Sequence, residues 1–100
     1  MQPQNPNENR RVHVWVKGRV QGVGFRAHVE YFAAQCGVSG WARNVGADTV
    51  EAVAEGTPAQ LALLLDAVKR GPRMARVDEF RVEEEPATGE FTGFSVRRSV

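Results

Sequence analysis

The sequence contains few of the residues that cross-link or anchor a small protein. Its 100 residues include one cysteine, Cys36, so neither an internal disulfide nor a cysteine-rich zinc site can form. No apolar run approaches the roughly 20 residues that cross a bilayer. Residues 1–9 are polar and lack the basic start and apolar stretch of a secretory signal. These absences predict a reducing compartment, and we expect a cytoplasmic location.

Charge of one sign and histidine are also scarce. Thirteen basic residues nearly balance twelve acidic ones, for a net charge of +1, so we expect neither nucleic acid nor a membrane as a partner. The two histidines, His13 and His28, fall in different predicted elements without a ligand pattern, and we expect no metal and no cofactor. A hydrophobic share of 42% is that of an ordinary globular domain. We expect a flexible tail at residues 1–10 and one domain at residues 11–98.

Five segments have the pattern of β-strands. Residues 11–17 alternate valines with other side chains, which is typical of a strand with two different faces. Residues 38–44 and 49–55 are separated by a short turn and predict a hairpin. Residues 76–83 and 92–97 predict two further strands.

Two segments change to helical spacing. In residues 25–36 apolar side chains recur at helical intervals, and Gly37 follows as a stop signal. Thr57, Pro58 and Gln60 predict a capping box at the start of the second helix. The order β-α-β-β-α-β plus a C-terminal strand predicts an α+β protein: a ferredoxin-like two-layer sandwich, with a mostly antiparallel sheet and two helices on one face.

The loop between the first strand and the first helix has an unusual composition. Residues 18–24 include three glycines, which allow successive N–H groups to turn towards one point beside a helix N-terminus and attract an anion. Arg26 lies in the first helical turn, where a positive charge opposes the helix dipole. Its planar fork of donors fits a phosphate. An anionic ligand would offset the repulsion between Arg26 and the helix dipole. The alternative interpretation is a tight turn that binds no ligand.

Two nucleotide-binding motifs can be compared with this loop. Gly22-x-Gly24-x-x-Ala27 matches the loose dinucleotide fingerprint, but that site expects an acidic residue about 20 positions later. The chain has Ala42 and Arg43 there. No Gly-Lys-Ser/Thr sequence is present, which excludes a P-loop.

The same loop resembles the signature of a known family. Residues 18–26, Gly-Arg-Val-Gln-Gly-Val-Gly-Phe-Arg, are similar to the signature loop of the acylphosphatases. A second similar segment, Gly-Trp-Ala-Arg-Asn, occupies residues 40–44, and a third follows at residues 50–56. The resemblance covers nearly all of residues 11–97. It implies an acylphosphatase, which hydrolyses the carboxyl-phosphate bond of acyl phosphates to a carboxylate and inorganic phosphate, the latter acting as product and inhibitor.

The resemblance also implies roles for particular residues. Arg26 would bind the phosphate, and Asn44 would position the attacking water. The backbone cradle for the phosphate would consist of Gln21, Gly22, Val23, Gly24, Phe25 and Arg26. The turn at Ala47 and Asp48 departs from the Asp-Gly pair of many relatives, and we expect altered hairpin geometry rather than lost activity. A small monomer is the simplest interpretation of the chain.

The expected reaction needs few groups. The leaving carboxylate has a conjugate acid with a pKa of about 4, so it departs without a general acid. Transfer of the phosphoryl group then depends mainly on positioning and on stabilising its equatorial oxygens. Because no covalent nucleophile is evident, we expect direct hydrolysis without a phosphoenzyme, and the lack of a ligand pattern predicts that no metal takes part.

A ferredoxin-like domain that only binds a ligand is the main alternative. An RNA-recognition module would place aromatic residues on its central strands, and residues 49–55 have none. A copper carrier would need a Cys-x-x-Cys pair. A regulatory amino-acid sensor leaves no compact sequence mark, although it would not need both Arg26 and Asn44. A relative that binds phosphate without turnover also remains open.

Overall fold

The computed structural model describes residues 8–100 and contains every element that the sequence predicts. In chain order these are β1 (Arg10–Arg19), α1 (Phe25–Cys36), β2 (Ser39–Val45), β3 (Thr49–Gly56), α2 (Pro58–Arg70), β4 (Arg76–Glu85) and β5 (Phe94–Val96). The predicted order, β-α-β-β-α-β followed by one strand, is confirmed.

The strands form one five-stranded sheet in the order β4-β1-β3-β2-β5. Strand β1 pairs antiparallel with both β3 and β4, and β2 pairs antiparallel with β3. Only β5 is parallel to its neighbour, with Phe94 opposite Gly40 on β2. The sheet is therefore mostly antiparallel, as predicted, and the fold is the ferredoxin-like sandwich.

Both helices pack on the same face of the sheet, where the alternating valines of β1 point inward. The core combines these valines with apolar residues of both helices: Val12, Val14, Val16, Phe25, Val29, Ala33, Leu61, Leu64 and Val68. Burying apolar side chains stabilises the fold by roughly 1.5–3 kcal/mol for each large one. This core fixes the start of α1 against the end of β1, which is where the glycine-rich loop lies.

The two helices begin in different ways. At the start of α2, Thr57 Oγ1 accepts a hydrogen bond from the Gln60 N–H at 3.2 Å, and Gln60 Oε1 accepts one from the Thr57 N–H at 2.9 Å. The predicted capping box is thus confirmed. Helix α1 begins after Gly24, which has no side chain to cap it, and its first turn has no acidic residue.

The connection between β4 and β5 crosses the face of the sheet opposite the helices. Because β4 and β5 lie at opposite edges, residues 86–93 must span the sheet. Glu55 holds this segment: it is 2% exposed, and its carboxylate accepts hydrogen bonds from the N–H groups of Thr88 and Gly89 at 3.0 Å each. The same segment places Phe91 against the Arg11 guanidinium, 4.9 Å from the ring centroid.

Every predicted strand differs from the structure at one or both ends. Arg10, which we assigned to the tail at residues 1–10, belongs to β1; residues 1–7 lie outside the described part. Strand β5 has three residues rather than residues 92–97, because Gly93 adopts a φ of +71° and ends the crossing segment. Beyond β5 the chain stays hydrogen-bonded to β2 as far as Val100, past the predicted domain end at 98. Within residues 8–100, no helix is long and apolar enough to span a membrane.

Candidate active site

The glycine-rich loop is a four-residue turn held at both ends by buried side chains. Val20 is 1% exposed before the turn, and Phe25 is 2% exposed after it. Gly22 and Gly24 have φ angles of +73° and +77°, which L side chains rarely adopt. A Cβ at either position would meet no atom within 4 Å. Glycine is therefore required here by the backbone angle and not by a lack of space.

The backbone N–H groups in the first turn of α1 donate no hydrogen bond to a capping side chain, because the N-cap residue is Gly24. The first helical bond runs from the His28 N–H to the Gly24 carbonyl at 3.0 Å. The N–H groups before it have no partner inside the helix. Together with the positive end of the helix dipole, they favour a negatively charged group at this point.

A cavity of about 230 Å³ opens at this helix end. It is lined by the loop, the first turn of α1 and one residue from each of β2 and β5: Val20, Gly22, Gly24, Phe25, Arg26, Ala27, Asn44 and Val96. The structure thus brings Arg26 and Asn44 to the same cavity. Gln21 and Val23 do not line it: Val23 packs against the core, and the Gln21 side chain turns towards the β2–β3 hairpin.

Arg26 lies at the cavity with its charge not neutralised by a neighbour. Its Nη1 donates a hydrogen bond to the Arg97 carbonyl at 3.3 Å. Within residues 8–100 its guanidinium takes part in no ion pair with a carboxylate. A carbonyl partner orients the group while leaving its positive charge for an anion.

Asn44 lies near the end of β2, on the face that the helices cover. It is opposite Val50 on β3, and its carbonyl accepts a hydrogen bond from the Val100 N–H at 3.0 Å. Val100 in turn accepts one from the Gly46 N–H at 3.0 Å. Residues 97–100 therefore support both Arg26 and Asn44. No sequence pattern indicates this support, because carbonyl acceptors are present in every residue.

The hairpin turn between β2 and β3, which includes Ala47 and Asp48, keeps Asn44 within its strand. Val45 is opposite Thr49, so the turn comprises residues 46–48, and Gly46 adopts a φ of +59°. The Asp48 carbonyl accepts a hydrogen bond from the Gly18 N–H at 3.0 Å. The turn is thus attached to the end of β1, close to the start of the loop.

A larger concavity of about 460 Å³ lies beside the turn, at the β1–β4 edge. Two of its basic side chains are already paired: Arg76 Nε is 2.9 Å from an Asp78 carboxylate oxygen, and Lys17 Nζ is 3.9 Å from one of Asp48. It also lacks a helix N-terminus. Size alone therefore does not identify the site, and the smaller cavity has the chemistry that suits an anion.

The fold and the cavity define a class of protein: a ferredoxin-like sandwich whose strand-to-helix loop presents backbone amides and an arginine. The family model described as acylphosphatase matches residues 12–96. The chain belongs to the acylphosphatase family, and it is an enzyme of that family.

Relatives and solved structures agree with this assignment. The chain is 48% identical to an acylphosphatase of Methylococcus capsulatus, over 91% of this chain and 99% of that one. It is 43% identical to an acylphosphatase of Syntrophobacter fumaroxidans, over 89% and 92% of the two chains. The crystal structure of an acylphosphatase from Bacillus subtilis superimposes with a TM-score of 0.84 at 34% identity, covering 88% of this chain and 98% of that one.

Proposed function

We propose that this enzyme hydrolyses acyl phosphates by direct attack of a water molecule that Asn44 positions, without a metal and without a phosphoenzyme. The observation that supports this most directly is the single cavity that contains the N-terminal turn of α1, Arg26 and Asn44. Family membership supplies the reaction class, and the cavity supplies the groups that can carry it out.

The phosphate is held at the N-terminal turn of α1. Backbone N–H groups of Gln21, Gly22, Val23, Gly24, Phe25 and Arg26 form its cradle. The Arg26 guanidinium closes over the equatorial oxygens. Donors fixed before the reaction stabilise charge without having to reorganise, and one such donor typically contributes about 10² to 10³ in rate.

Water attacks from the side of β2. The Asn44 amide holds the water in line with the phosphorus, although an amide is not an effective base. The bond between the water oxygen and phosphorus forms while the bond between phosphorus and the acyl oxygen breaks, and the water's proton passes to a phosphate oxygen. The carboxylate leaves unprotonated because its conjugate acid has a pKa of about 4. The products are a carboxylate and inorganic phosphate.

All proposed groups come from one copy of the chain, so a monomer is sufficient for activity. The acyl part of the substrate projects out of the cavity. Inorganic phosphate occupies the same cradle as the substrate, and we expect it to inhibit. The cytoplasmic location stays a prediction from composition.

The test is the release of inorganic phosphate from benzoyl phosphate, with and without a chelator, by wild type and by Arg26→Ala. We expect hydrolysis that the chelator does not affect and that falls by at least about 10²-fold in the variant. Arg73→Ala is the matched control, since Arg73 is an exposed arginine outside the cavity. A folded wild type without activity, or an active Arg26→Ala, would overturn the proposal.

A further inference from the structure

The side chain of Gln21 connects the two halves of the proposed site. Its Nε2 lies 2.9 Å from the Thr49 carbonyl, 3.1 Å from the Gly46 carbonyl and 3.3 Å from the Val45 carbonyl. Three acceptors around one nitrogen require the NH₂ end of the amide at this point. One side chain of the loop thus holds both strands of the β2–β3 hairpin at its turn.

These contacts exclude the Gln21 amide from a direct role on substrate. An amide NH₂ has two hydrogens, and three carbonyls of the hairpin already share them. The side chain also does not line the cavity. Its backbone N–H belongs to the proposed cradle, so the residue faces the substrate with its main chain and the hairpin with its side chain.

The two ends of this connection are adjacent to the reacting groups. Gln21 immediately precedes Gly22, which lines the cavity. Val45, one of the three acceptors, immediately follows Asn44. The other hydrogen bond from this end of β1 to the turn runs from Gly18 to Asp48, and it joins the chain before the loop begins. Among residues 8–100, the Gln21 amide is therefore the side-chain contact that fixes the loop itself relative to Asn44.

We propose that Gln21 is a positioning residue, which sets the distance between the phosphate cradle and the water held by Asn44. The inference rests on the proposed function of Asn44. A misplacement of about 1 Å between reacting groups can cost on the order of 10² in rate. Phosphate binding depends on the cradle and Arg26 alone, so this role concerns turnover rather than affinity.

The test is the variant Gln21→Met, which keeps the length of the side chain and removes its donors. We expect kcat for benzoyl phosphate to fall by about 10-fold or more, while the inhibition constant of inorganic phosphate changes by less than about 3-fold. Gln21→Asn retains the amide one methylene short of the hairpin, and we expect it to lower kcat as well. It replaces Gln21→Met in the test if circular dichroism shows that the methionine variant does not fold.

The control is Gln60→Met, which removes the capping-box glutamine of α2, a residue that does not line the cavity. We expect it to lower the thermal midpoint and to leave kcat unchanged. This comparison separates a loss of stability from a loss of positioning.

A double-mutant cycle decides whether Gln21 acts through Asn44. If it does, Gln21→Met changes kcat by less than about 2-fold in the Asn44→Ala background, because the positioned water is already lost. An equal loss in both backgrounds would overturn the inference, as would an unchanged kcat in the single variant. An inactive wild type would instead overturn the proposed function, and the inference with it.

Discussion

Glycine is needed at individual positions of this chain for two different physical reasons. Gly24 needs its backbone angle alone, since a Cβ there would meet open space. Gly40 on β2 combines a φ of +144° with close packing: a Cβ would lie 1.9 Å from the Val53 carbonyl oxygen. The first kind of glycine shapes the site, and the second lets two strands of the sheet approach.

We expect Gly40→Ala to lower the free energy of unfolding by about 3 kcal/mol or more, because the main chain of β3 must move. Gly89→Ala is the matched control: Gly89 also has a positive φ, of +71°, but a Cβ there would meet nothing within 4 Å. We expect Gly89→Ala to lower the free energy of unfolding by about 1 kcal/mol. Urea unfolding measures both, and equal losses would show that packing at Gly40 does not matter.

At the same scale, Asn44→Ala separates turnover from binding. We expect kcat to fall by about 10² to 10³, because one positioning group is lost. Inhibition by inorganic phosphate should persist, since the cradle and Arg26 remain. Steady-state kinetics with added phosphate give both quantities, and an unchanged kcat would remove Asn44 from the mechanism.

The sequence provides two different kinds of signal for the proposed site. Arg26 is conspicuous because it opposes a helix dipole, and Asn44 was named through the family resemblance. The Gln21 side-chain contacts and the support from Arg97 were not predictable. They depend on backbone carbonyls brought close by tertiary packing, and every residue has a carbonyl.

At the scale of elements, the two helices differ in how their N-termini are capped. Helix α2 satisfies its own amides through Thr57 and Gln60, whereas α1 starts at an uncapped glycine. The capping box stabilises α2, whereas the first turn of α1 has no side-chain cap. Both helices contribute to the core, but only α1 starts with N–H groups that its own cap leaves free for the proposed ligand.

We expect Thr57→Ala to destabilise the protein by about 1 kcal/mol, since it removes the capping box of α2. Its kcat should equal that of wild type, because α2 contributes no lining to the cavity. Thermal unfolding and the phosphate-release assay are sufficient to measure both effects. A marked loss of kcat in this variant would mean that α2 does influence the site.

The helices and β2–β4 were predictable from local signals such as periodicity, the capping residues and Gly37. Strand β5 was predicted too long, because its pairing depends on partners remote in sequence. The Gly93 carbonyl accepts a hydrogen bond from the Gly40 N–H at 2.9 Å, before the strand proper begins. No pattern within residues 86–97 shows where the crossing segment ends.

At the scale of the whole molecule, buried carboxylates stabilise the face of the sheet opposite the helices. Glu51 is 7% exposed and lies 2.6 Å from both His13 Nε2 and Arg43 Nε. Burial raises the pKa of Glu51, but hydrogen bonds from His13 and Arg43 and their charges outweigh this effect and hold it below its ordinary value. Burial likewise raises the pKa of Glu55, and hydrogen bonds from Thr88 and from the Gly89 N–H, with the Arg11 charge, lower it overall.

These shifts predict that the protein loses stability in acid. A lowered folded-state pKa means that the unfolded chain binds protons more readily than the folded one. The stabilisation is therefore complete above the unfolded pKa of about 4.3 and is lost as the pH falls through the lower folded-state values. Urea unfolding at pH 7, 5, 4 and 3 should show a free energy of unfolding that declines below about pH 4.3.

The matched variant is Glu55→Gln, which cannot ionise. We expect it to cost about 1–3 kcal/mol at pH 7, since hydrogen bonds to a buried charge are lost, and to make the acid decline shallower. An identical pH dependence in this variant and in wild type would show that Glu55 does not contribute to it.

The position of residues 97–100 beside β2 has a consequence for the growing chain on the ribosome. The loop and Asn44 emerge early, but the Arg97 carbonyl that orients Arg26 and the Val100 amide that holds Asn44 emerge after every other residue of the site. Strand β1 must also wait for β4 to cover its second edge. Translation adds roughly 5–20 residues per second, so for several seconds a nascent chain carries Arg26 and Asn44 without these hydrogen bonds. Under the proposed mechanism, we expect activity only once residues 97–100 have joined the sheet beside β2.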